Sequence, residues 1–201
     1  MAAPLLACLG LLAAGPAAAV SFSLDVEFDD GTEGHFGTVD ISENGGDLDF
    51  EITLTDALGG DPDLHEFYFN LVGSFTNVSI LDTNAPTTGY SLSTSPSVAG
   101  GAGSSFDYGV NFGNGAGPPG NGQLTFASFT LGADEILSIS DLDESSFAQG
   151  GGIEVNVAAH VQGTDFVQGT DSETVGGVIP EPSTVWLLGL GLALMGARRR
   201  R

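Results

Sequence analysis

Along much of the chain, apolar and polar residues alternate one for one. Val20-Ser21-Phe22-Ser23-Leu24-Asp25-Val26-Glu27-Phe28 does so, and residues 47–55 do so again; residues 155–161 nearly repeat it. A period of two sends successive side chains to opposite faces of a strand. Leu48, Phe50, Ile52 and Leu54 then share one face, and Asp47, Asp49, Glu51 and Thr53 the other. Further strands are expected over 35–41, 66–72, 77–81, 105–112 and 123–131, set apart by clusters of Gly, Pro, Asn and Asp. Asn44-Gly45 reads as the hairpin turn before the strand that starts at Asp47. No long helical pattern interrupts the body. Many short antiparallel strands, each with one wet and one dry face, predict an all-β fold: an antiparallel β-sandwich of jelly-roll type. Phe22, Phe50, Phe67, Phe69, Phe126 and Phe129 are the expected core.

The pattern changes at both ends. Residues 1–19 are apolar and close on Ala17-Ala18-Ala19, an A-x-A pattern, which predicts a signal helix cleaved to leave Val20 first, with signal peptidase as a partner. The only cysteine, Cys8, lies inside it, so the mature chain has no thiol for a disulfide or a zinc site. Residues 184–197 carry no charge and predict a hydrophobic helix of about 21 Å, short against the roughly 30 Å of a bilayer core. All four basic side chains of the protein come after it, as Arg198, Arg199, Arg200 and Arg201. They act as a membrane stop on the cytoplasmic side. Gly189, Ala193 and Ala197 recur at intervals of four and form a small-residue stripe for packing against another membrane helix. Pro180 and Pro182 fix φ and remove N–H donors, which keeps the segment around Glu181 extended.

Pro180-Glu181-Pro182, a short hydrophobic helix and an arginine cluster, in that order at the C-terminus, resemble the PEP-CTERM sorting signal of Gram-negative bacteria. The resemblance covers the tail and, with it, the signal peptide. It implies recognition by an exosortase, a membrane-embedded cysteine transpeptidase, and processing near Pro180 to Pro182. It also implies a setting in bacteria that make exopolysaccharide. The expected organisation is a signal peptide (1–19), a β-sandwich domain (20–162), a polar spacer (163–179) and the sorting signal (180–201). The product is expected to be anchored in the membrane transiently, then placed at the cell surface or outside the cell.

Charge narrows the body's partners. The chain holds 26 acidic residues and four basic ones, with a formal net charge of −22. All the basic residues lie in the tail, so the body has nothing to set against a phosphate backbone, and nucleic-acid binding is excluded. Anionic surfaces are disfavoured unless divalent cations bridge. Two loop clusters, Asp61 and Asp63 with Glu66, and Asp141 and Asp143 with Glu144, offer the oxygens a calcium ion takes. The stretch Asp25 to Gly31 starts like an EF-hand loop but has Asp30 where the turn glycine belongs and Phe36 where the closing Glu belongs, and reads better as a strand running into a turn. Solvated acids on turns are the plainer reading of each set.

Nothing assembles a catalytic group. His65-Glu66 starts a zinc-protease pattern, but Phe69 stands where the second histidine belongs. His35 and His160 are expected on wet strand faces. Asn77-Val78-Ser79 fits a glycosylation acceptor within a strand. Loops 94–104 and 113–122, with Tyr90 and Tyr108, are the expected binding surface if the body binds neutral glycan. The sequence thus reads as a non-enzymatic, acidic cell-surface or extracellular-matrix protein, sorted by an exosortase and structural or adhesive in an exopolysaccharide biofilm. A calcium-assisted glycan-binding module is the alternative, and a secreted hydrolase the least favoured one.

Overall fold

The computed structural model describes residues 18–28, 31–84, 90–98, 106–113, 124–142, 146–147, 154–165 and 171–177. The expected signal helix up to Ala17, the hydrophobic tail helix and most of loops 94–104 and 113–122 lie outside them. The described chain is almost all strand. In order come β1 (Ala19–Glu27), β2 (Glu33–Asn44), β3 (Asp47–Leu54), β4 (Asp63–Phe69), β5 (Ser79–Thr83) and β6 (Ser91–Thr94). Next are β7 (Tyr108–Asn111), β8 (Phe126–Gly132), β9 (Ser146–Phe147), β10 (Glu154–Val155), β11 (Val157–Gln162) and β12 (Ser172–Gly177). Two 3-10 turns, Asp56–Leu58 and Ile139–Leu142, are the helical elements among the described residues. No described helix is long and apolar enough to cross a membrane.

Ten strands form one antiparallel sheet in the order β5-β8-β3-β2-β1-β12-β11-β4-β7-β6, and β9 pairs with β10 alone. The all-β antiparallel expectation holds. In place of two separate sheets, however, the ladder is continuous, and β1 carries it across. From Ala19 to Leu24, β1 pairs with β2, and its Val26 and Glu27 pair with Gly176 and Val175 of β12. The β1–β2 register shifts between Leu24 and Val26. A bulge of this kind bends and twists a strand, and lets it turn a corner.

The sheet folds over its own core. Phe50 of β3 stacks on Phe129 of β8 at 4.7 Å between ring centroids, and it also meets Phe69 of β4 at 5.4 Å and Phe67 at 6.0 Å. β3 and β4 are separated in the ladder by β2, β1, β12 and β11, so these rings meet across the inside of the fold. The two outer ends of the ladder also approach. Asn84, just after β5, accepts a hydrogen bond from the Tyr90 hydroxyl, just before β6, at 2.7 Å. Leu48, Phe50, Ile52 and Leu54 face the core as their alternation predicts. Gly45 and Gly46, both at positive φ, make the β2–β3 turn, and Asn44 pairs with Asp47 beside it. The turn therefore sits one residue later than the Asn44-Gly45 reading.

Three side-chain placements differ from the alternation. Past the register shift, pairing with β12 changes the frame of β1. Glu27, opposite Val175, turns inward and is buried, and Phe28 goes to the other side. There Phe28 packs with Tyr68, Phe106, Val155 and Ala158 in a second apolar cluster on the outer face. Phe126 pairs with Thr53 on that outer face and is 42% exposed, so it is not core. The third difference concerns the expected spacer. Residues 172–177 of it form β12, held between β1 and β11, with Glu173 to Gly177 all buried. Its last residue fits because it is glycine: a Cβ at Gly177 would run into the Ser23 carbonyl oxygen.

Candidate functional site

Two of the chain's three histidines meet on the outer face of the sheet. Across β12, β11, β4 and β7, residues Thr174, His160, Glu66 and Asn111 stand opposite one another in register and so share a face. On β4 the register slips by one: Glu66 pairs with His160, and Leu64 with Val161. His65 is the extra residue. It is thereby released from strict alternation, and its ring lies edge-on to His160, 6.2 Å between centroids.

The groups around the pair are engaged. His65 Nε2 is 3.3 Å from an Asp63 carboxylate oxygen, and the other Asp63 oxygen accepts the Leu124 N–H at 2.7 Å. Glu66 accepts from the Tyr68 hydroxyl and, at 3.1 Å, from the Asn111 amide. His160 Nδ1 is 3.4 Å from the Thr174 hydroxyl. His160 is 7% exposed, and Thr174 is buried too. Burial pushes the imidazolium of His160 below its usual range. Glu66 and a backbone hydrogen bond at Glu173 oppose that shift, and neighbouring His65 adds to it. His160 thus lies on the outer face, as expected, but is covered rather than wet.

The arrangement sets a buried imidazole beside a second one that lies against a carboxylate. It presents no open nucleophile, since the Thr174 hydroxyl is itself covered. Of the expected calcium set, Asp63 and Glu66 accept the hydrogen bonds just named. Among the described residues, no group of three His, Cys, Asp or Glu side chains is placed to hold a metal. Asp141 accepts from the backbone and hydroxyl of Ser138 at 2.8 and 2.9 Å, closing its own 3-10 turn. Asp143 and Glu144 lie outside the described residues.

The aromatic residues expected at a glycan surface face elsewhere. Tyr108 stacks on Phe69 at 5.5 Å, and Tyr90 meets Phe112 edge-on at 4.6 Å. Both pack against the main core. His35 is exposed, 3.4 Å from Asp25. Asn77 has a positive φ ahead of β5 and donates to Asp134 at 2.7 Å, so it stands in a turn rather than a strand. Ala19 of the expected cleavage pattern is the first residue of β1, opposite Ser42. The two-histidine cluster escaped the alternation because the bulge that makes it cannot be seen in a period of two.

Fold and site together define an acidic, all-β antiparallel body with a covered histidine pair on its outer face. The segment C-terminal to that body is more particular. Residues 178–201 match the model of the PEP-CTERM protein-sorting motif. The chain thus carries the sorting signal that implies export, transient anchorage in the membrane and processing by an exosortase. Pro180, Glu181, Pro182, the Gly189-Ala193-Ala197 stripe and Arg198 to Arg201 all fall within the matched residues, outside the described structure. No curated protein and no solved structure matches the chain.

Proposed function

We propose that the body is a structural or adhesive component of an exopolysaccharide matrix at the surface of the cell that exports it. Signal peptidase removes residues 1–19, an exosortase acts near Pro180 to Pro182, and the folded-over ladder serves as a sandwich-type module without catalytic work. The observation that carries this reading is the sorting motif at 178–201, which begins directly after Gly177, the last residue of β12. The composition supports it. A body without Lys or Arg repels its own copies and stays soluble, while neutral polysaccharide remains a partner that such charge does not repel.

The test is the mature termini and intact mass of the protein from its native host, in envelope, matrix and medium. The expected product starts at Val20, ends between Pro180 and Pro182, and co-purifies with the polysaccharide fraction. A chain that still ends at Arg201 overturns the processing. A processed chain found wholly in the medium, free of polysaccharide, overturns the matrix role.

A further inference from the structure

β11 lies between β4 and β12, and His160 sits where both of its ladders meet. Groups face it from each side. From β4 come His65, Glu66 and, through His65, Asp63. From β12 come the Thr174 hydroxyl and the Glu173 backbone. From β7, Asn111 reaches it only through Glu66. The charged groups in this set are the two carboxylates. Asp63 accepts the Leu124 N–H through one oxygen while its other oxygen faces His65, and Glu66 accepts from Tyr68 and Asn111. A proton added here meets a covered site and a second imidazole close by.

We propose that His160, covered between β4 and β12, makes the β4–β11–β12 seam an acid-sensitive joint, which loosens as its imidazole takes up a proton. Linkage sets the sign. His160 holds its proton less well folded than unfolded. Above the ordinary imidazole value of about 6.5 both states are neutral and the seam keeps its full stability. As pH falls through that value, the unfolded chain binds protons first, and stability is lost until the lowered folded value is passed. β12 is the strand that runs straight into the sorting motif, so the joint governs how firmly that end of the body is held.

The test uses the full chain in mild detergent at about pH 7.5 and about pH 5.5, either side of the imidazole range. The urea midpoint is expected to fall on acidification in the unmodified protein and in His35→Gln, and to fall less in His160→Gln. The same fall in His160→Gln as in the unmodified protein overturns the proposal. A second measurement needs no variant. Amide exchange, corrected for the intrinsic effect of pH, is expected to quicken at acid pH over residues 157–162 and 172–177 while residues 48–54 of β3 stay protected. Uniform quickening, or none, overturns it equally.

Discussion

Phe50 and Phe126 are the same residue type in neighbouring strands, with opposite fates. Phe50 is fully buried against Phe67, Phe69 and Phe129, and Phe126 stands half open on the outer face. Replacing Phe50 by Ala is expected to lower the unfolding free energy by about 3–5 kcal/mol, through lost burial and the cavity left behind. Phe126→Ala is expected to cost less than about 1 kcal/mol, both read from urea titrations. The difference was within reach of the sequence. Positions 126 and 129 are three apart and cannot share one face of a strand, and pairing of Ala127, Phe129 and Leu131 with β3 decided between them. Glu27 was out of reach. Alternation places it with the wet residues, and its pairing with Val175 of β12, past the β1–β2 register shift, sets it on the inner face.

Among the elements, β2, β3, β8 and β11 were legible because each repeats its period over several residues between turn signals. The short edge strand β6 and the two-residue strands β9 and β10 are too brief for any period to show. β12 shows the opposite failure. Its sequence, SETVGG, has one large apolar residue and reads as a linker, yet it lies in the middle of the sheet because its neighbours bury it on both faces. Its glycines are what allow that. Gly177→Val is expected to cost about 1–3 kcal/mol, since the added side chain meets the Ser23 carbonyl of β1. Gly45→Asn at the β2–β3 turn is the control. Nothing lies within 4 Å of an added Cβ, and asparagine tolerates the positive φ there, so its midpoint in thermal unfolding is expected to move little.

At the scale of the molecule, charge dominates. The described body has no lysine or arginine to answer its carboxylates, so compaction brings like charges together. Raising salt from about 10 mM to about 1 M shortens the screening length from about 30 Å to about 3 Å. The thermal midpoint is expected to rise across that range, and a flat or falling midpoint would mean that self-repulsion is minor. The histidine cluster belongs to this scale as well: its residues come from four strands, and their meeting depends on a ladder order that no local pattern encodes.

The sheet order also sets a timetable. β12 is the last strand of the body to be made, yet it fills the gap between β11 and the first strand, β1. A chain that crosses a membrane N-terminus first delivers β1 at the outset and then holds an unfilled place for it until Gly177 has passed. Until then the ten-strand ladder lacks the strand that joins β1 to β11. The strand that completes it, β12, ends at Gly177, immediately before the sorting motif. The order of the ladder thus makes completion of the sheet and emergence of the sorting motif neighbours in sequence.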